Sequence, residues 1–195
     1  MISLEDGKIL VKLTRLSIET YFSGRVINLH ESDKFTEKRG VFVTLNKFGH
    51  LRGCIGFPEP IHELNRAIIE AARAAAFDDP RFPEVTAKEF EDISIELTVL
   101  TKPELLEVEK PEEYLDKISL GKHGLIIRSI LGSGLLLPQV FIEYDSTPKE
   151  ALEMTCQKAG LDANAWRNLQ NKIFIFSGQI FEELEPNGKV IIKKV

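Results

Sequence analysis

"GVFVTLNKFGHLRGCIG" (residues 40–56) holds two apolar runs, "GVFVTL" (40–45) and "LRGCIG" (51–56), joined by "NKFGH". The first is rich in β-branched and aromatic residues, and Gly49 suits a tight loop, so the stretch reads as two strands of a hairpin. The second run is odd for a strand. Glycine weakens a strand interior, and here Gly53 and Gly56 flank a cysteine and an arginine. Strict alternation places Leu51, Gly53 and Ile55 on one face and Arg52, Cys54 and Gly56 on the other. Leu51 and Ile55 are then core contacts, and Gly53 leaves room for a helix. Arg52 and Cys54 point the same way, with Cα atoms roughly 6.5 Å apart from the strand rise. A guanidinium so placed favours the thiolate, the reactive form of cysteine. The alternative is that Cys54 is a small buried filler and Arg52 the partner of a nearby acid.

Outward from the hairpin, residues 61–77 form the strongest helix, with Leu64, Ile68, Ala71, Ala72 and Ala75 on one side and small enough to sit close to a sheet. Residues 5–21 form another, with Ile9, Leu10, Leu13, Leu16 and Tyr21 sharing a face. Residues 25–39 read as a surface loop with at most one helical turn. "ISIELTVL" (93–100) alternates cleanly and is a strand with one wet face. "GLIIRSILGSGLLLPQVFIEY" (124–144) predicts two or three strands around a turn at Gly132–Gly134. "STPKEALEMTCQKAG" (146–160) has Thr147 as N-cap, Pro148 at the first helical position, Glu150 completing a capping box and Gly160 as the stop. The last segment, 172–195, predicts a hairpin turning at Asn187-Gly188. Hairpins with interspersed helices give an α+β fold with a largely antiparallel sheet flanked by helices.

The 195 residues suit one domain, and 43% hydrophobic with 28% charged residues is ordinary for a globular chain. A net charge of −5 argues against a nucleic-acid partner, which calls for a basic stripe. No apolar run is long enough to span a bilayer, and the first residues lack the core of a signal peptide, so a cytoplasmic location is expected. Cys54 and Cys156 are then free thiols. Cys156 falls in the apolar rhythm of its helix beside Leu152, which points to burial.

"LRGCIG", followed by "DDPRFPEVT" (78–86), "GLLLPQV" (134–140) and "CQKAGL" (156–161), resembles the AMMECR family, over about Val41 to Glu183. The resemblance implies one domain over 1–195, built as two unequal lobes of interleaved segments with a cleft between them. It also implies association with Memo-type proteins and a radical S-adenosylmethionine enzyme. The family pattern covers Leu51 to Gly56 and a second patch at Asp79, Arg81, Phe82 and Pro83. Some relatives have a histidine at the position of His123 and others do not, which weakens any mechanism that needs a histidine base.

Other candidates carry competing readings. Asp78 and Asp79 end a helix, where the dipole disfavours acids, so Asp79 calls for a partner in Arg81 or Arg52. That partner makes either a structural ion pair or a ligand site. Pro83 is a candidate cis proline. Gln139 and Glu143 share a face of a strand "QVFIEY", either solvated or lining a cleft, where Glu143 would move a proton or grip a cation. His50, Cys54 and His62 lack zinc spacing, and "GSG" (132–134) is too short for a phosphate cradle, so no metal and no cofactor is expected. Two functions follow. One is a module binding a small ligand, peptide or protein through Arg52, Gly53, Gly56, Asp79, Arg81 and Glu143. The other is an enzyme with Cys54 as nucleophile, held ionised by Arg52.

Overall fold

The chain opens on α1 (Leu4–Ser23), capped by the Ser3 side chain on the Asp6 amide and stopped by Gly24 in the left-handed region. Its apolar face carries Leu10, Leu13 and Ile18, while the buried hydroxyls of Thr14 and Ser17 bond back to the carbonyls of Leu10 and Leu13. Then come a 3-10 turn (His30–Ser32), β1 (Val41–Lys47), β2 (His50–Phe57), α2 (Leu64–Phe77), the short α3 (Ala87–Phe90) and β3 (Ile93–Leu100). After β4 (Glu104–Leu105), α4 (Glu113–Lys117), β5 (Gly124–Ser129), β6 (Gly132–Leu136), α5 (Pro138–Glu143) and α6 (Pro148–Lys158), the chain ends in β7 (Lys172–Phe176), β8 (Gly178–Glu183) and β9 (Val190–Lys193). The structure, a computed structural model, describes residues 1–193.

Two compact units result, one from Met1–Thr101 with the described residues from Gly178 onward, the other from Lys102–Ser177. The first holds an antiparallel sheet of order β2-β1-β3-β8-β9, the second one of order β4-β7-β5-β6. The α+β reading is right, with the strands divided between two sheets. In the first unit α1 and α2 cover one face, meeting Val41, Val43, Leu45, Ile95 and Leu97. In the second, α6 lies on β5 and β6 so closely that a side chain at Gly134 would strike the α6 backbone, which explains "GSG" without a ligand.

Several local expectations need correction. "QVFIEY" is helix, not strand: Pro138 at its first position presets helical φ, Phe141 is buried, and Gln139 and Glu143 are exposed one turn apart. The hairpin of β5 and β6 turns at Ile130-Leu131, since Ser129 pairs with Gly132. Residues from 172 do not form one hairpin, because β7 and β8 belong to different sheets. The β8–β9 loop turns one residue earlier than expected, with the Gly188 amide on the Glu185 carbonyl, Pro186 inside the turn and Asn187 at φ 56°. Residues 194 and 195 of that segment lie outside the described residues. Every peptide bond described is trans, Pro83 included. The capping box at Thr147 and Glu150 forms as read.

The β1–β2 turn holds Phe48 at φ 51° and Gly49 at φ 78°, a primed two-residue loop. Glycine and asparagine suit such positions and phenylalanine does not. Phe48 is 75% exposed, so it recovers little by packing. Phe48→Asn should therefore raise stability by about 1 kcal/mol, read as a higher urea midpoint at unchanged slope. An unchanged midpoint would show that the exposed ring contributes as much as the backbone loses.

Candidate functional site

The hairpin positions the site, and a break in its ladder decides where the side chains go. Leu45 lies opposite Gly53 but Asn46 lies opposite Leu51, so Arg52 has no facing residue and forms a β-bulge. The extra residue reverses the alternation on its far side. Leu51, expected in the core, is 43% exposed beside Asn46, while Ile55 packs against the core. Gly53 is buried against α2: a Cβ there would lie 2.1 Å from the Ala75 carbonyl oxygen. Gly56 makes room for a ring of the protein itself, since a Cβ would come within 2.3 Å of Phe42, its partner on β1.

Arg52 and Cys54 part company. The Arg52 side chain runs to the segment after α2, donating from Nε to Glu89 at 2.8 Å and from Nη2 to Glu89 at 3.1 Å and to the Pro83 carbonyl at 2.9 Å. Its buried Nη1 has no partner among the described residues. The half-buried Cys54 instead faces away from the helices, with Sγ 3.2 Å from the Thr44 hydroxyl. The cation beside Cys54 is Arg81, whose Nη2 donates to the Cys54 carbonyl at 3.2 Å. Hydrogen bonding to Asp79 raises the Arg81 pKa, with a smaller contribution from the Cys54 side chain.

Asp79 is the hub. Its side chain is 2% exposed and accepts from the Cys54 amide (2.8 Å), the Arg81 amide (3.1 Å), Arg81 Nε (2.9 Å) and Arg81 Nη2 (2.7 Å). These donors, Arg81 first, hold its carboxyl well below the usual carboxylate range against the opposing effect of burial. An acid at the end of α2 is thus answered by the partner it called for, and the pair fixes the turn to β2. "LRGCIG" and "DDPRFPEVT" are two sides of one lock, closed by Arg52 in one direction and by Asp79 and Arg81 in the other.

Glu89 was not legible as a site residue. Thr86 and Glu89 carry the spacing of a capping box, and Thr86 does cap α3 on the Glu89 amide, but the Glu89 carboxylate turns to Arg52 and Lys47. Arg52, then Lys47, bring its pKa from the ordinary 4.5 down to about 2. Because the folded value lies below the unfolded one, this stabilisation is full above pH 4.5 and disappears as pH falls through about 2. Glu89→Gln should cost about 2 kcal/mol at pH 6 and markedly less at pH 2.5, measured by urea unfolding. A cost independent of pH would refute the linkage.

On the sheet face turned away from α1 and α2, the registers align Cys54 opposite Thr44, Thr44 opposite Glu96 and Glu96 opposite Glu182, one polar row across four strands. Lys193 Nζ bridges Glu96 at 2.7 Å and Glu182 at 2.9 Å. Beside the row lies a concavity of about 350 Å³ lined by Thr44, Asn46, Ser94, Glu96, Glu182 and Lys193. Glu143 is not among these groups; it stands exposed on α5 of the second unit. His50 begins β2 and His62 precedes α2, and among the described residues no three His, Cys, Asp or Glu side chains are grouped to hold a metal. His123 belongs to the second unit, where its Nδ1 accepts from the Ser119 amide and burial lowers its pKa. Cys156 is fully buried and its thiol is pushed up to about 11. No helix among the described residues is long and apolar enough to cross a membrane.

The sequence profile of the AMMECR1 family matches residues 11–181, and so takes in both halves of the lock. The chain belongs to the AMMECR1 family. Protein MJ0810 of Methanocaldococcus jannaschii is 48% identical over 198 residues, covering 100% of this chain and 98% of that protein. A protein of Thermococcus onnurineus is 50% identical over 194 residues, covering 95% and 94%. Among solved structures, the crystal structure of uncharacterized protein PH0010 from Pyrococcus horikoshii matches with a TM-score of 0.81 at 44% identity, over 100% of this chain and 99% of that one. The described residues therefore share the fold of that structure.

Proposed function

We propose that this AMMECR1-family chain is a binding module whose recognition surface is the outer face of the five-stranded sheet beside Cys54. The supporting observation is the division of labour within the motif. Arg52 is spent on Glu89 and the Pro83 carbonyl, while Cys54, Thr44, Glu96 and Glu182 form a polar row beside a concavity on the face that α1 and α2 leave uncovered. A row of side chains on rigid strands is pre-organised, which lowers the entropy lost on binding. The family resemblance supplies candidate partners, a Memo-type protein and a radical S-adenosylmethionine enzyme from the same organism. Purified partner and chain, titrated by calorimetry, test this. Thr44→Arg, which puts bulk and charge in the row, should weaken binding at least tenfold, and equal affinity of variant and wild type would rule the face out.

One observation favours a second reading, a cysteine-dependent enzyme: half-buried Cys54 sets its sulfur 3.2 Å from the Thr44 hydroxyl, and its carbonyl accepts from the Arg81 guanidinium at 3.2 Å. The activating cation is then Arg81 and not Arg52. Iodoacetamide labelling across pH discriminates, with buried Cys156 as internal control. Labelling of Cys54 that is no faster than that of a model thiol, or that appears only on unfolding, leaves the binding reading alone.

A further inference from the structure

The edge of the five-stranded sheet at β2 is closed by side chains where a further strand would otherwise fit. β2 and β9 are its outer strands. An outer strand turns the N–H and C=O of alternate residues away from the sheet, and these groups are a template for pairing with another chain. At Cys54 both are engaged by one short turn: the amide donates to Asp79 Oδ2 at 2.8 Å and the carbonyl accepts from Arg81 Nη2 at 3.2 Å. One acceptor and one donor, held side by side, are what a residue of an added antiparallel strand would offer. Toward the start of the strand, Arg52 reaches the Pro83 carbonyl and ties the rest of the turn along the same edge.

We infer that the Asp79–Arg81 pair is a latch that denies the β2 edge to an added strand, and that the strand it excludes is β2 of a second copy of this chain. Antiparallel pairing of two identical strands closes on a two-fold axis, the commonest symmetry of oligomers. β2 runs over His50–Phe57, longer than the usual strand, which gives a second copy a full-length edge to pair with. The latch is reversible in principle because its outer half, the Arg81 side chain, is 54% exposed, while Asp79 is anchored at 2%. This concerns the edge of the sheet and does not depend on what binds its face.

The test is sedimentation equilibrium of the Asp79→Ala/Arg81→Ala double variant, which removes both partners of the Cys54 edge groups, beside wild type, with hydrogen exchange at the Cys54 amide. The double variant should self-associate at least tenfold more tightly than wild type. Its Cys54 amide should exchange fast at low concentration and slowly when associated. Adding Cys54→Pro removes the outward N–H without touching the β1 ladder and should restore wild-type behaviour. A folded double variant that associates no more than wild type overturns the inference, as does association that survives Cys54→Pro. Should the double variant fail to melt cooperatively, Arg81→Ala alone frees only the carbonyl and leaves Asp79 in place. A tenfold gain there supports the latch and no gain refutes it.

Discussion

Glu183→Ala should cost about 3–5 kcal/mol, the largest loss expected from any single side chain described. Glu183 and Arg15 have side chains only 4% and 8% exposed. Arg15 donates from Nε and Nη2 to the two carboxylate oxygens at 3.0 and 2.5 Å, and Nη2 also reaches the Ile93 carbonyl at 2.8 Å. The Ile95 amide donates to the same carboxylate at 3.0 Å. α1, β3 and β8 are joined by this one cluster. Removing the acid strands a guanidinium and an amide away from water, whereas replacing both charges by apolar side chains of matching volume would be close to neutral. Urea unfolding of Glu183→Ala and of the double variant Arg15→Met/Glu183→Leu measures both. A single-variant loss under about 1 kcal/mol would mean that water reaches the cluster.

Gly53→Ala comes second, at about 3 kcal/mol. The new methyl would sit 2.1 Å from the Ala75 carbonyl oxygen and 3.2 Å from its carbon, and backbone cannot rotate aside as a side chain can. α2 would have to lift off β2, loosening the alanine face that made the close approach practicable. Gly24→Ala is the control: nothing lies within 4 Å of its Cβ position, so only the positive φ of 66° is penalised, at roughly 1 kcal/mol. Equal losses at the two positions would mean that helix and strand are less tightly apposed than described.

The sequence reading succeeded where a period ran long enough to average out accidents. "ISIELTVL" alternates over eight residues and is β3, and the alanines of 61–77 predict both α2 and its contact with Gly53. It failed where one residue changes the phase. The bulge at Arg52 leaves no mark on composition, and it sends Leu51 outward and parts Arg52 from Cys54. "QVFIEY" alternates by coincidence over a stretch too short to separate periods of two and 3.6, and Pro138 was the stronger signal. Asp79 and Arg81 could be found by asking what an acid does at a helix end. Glu89 could not, because its pairing with Arg52 depends on how the chain returns after α2, which is a long-range matter.

Leu100 at the end of β3 pairs with Gly178 at the start of β8, so neighbours on one ladder are separated in the chain by all of Lys102–Ser177. During synthesis β3 can pair with β1, but its other side must wait until the intervening unit has emerged from the ribosome. That unit is contiguous and can condense early, which brings residues 101 and 178 close and shortens the loop that the last pairing must close. Mutations that slow condensation of Lys102–Ser177 should therefore delay protection of β3 amides in pulse-labelled refolding, even though they lie outside the sheet being completed.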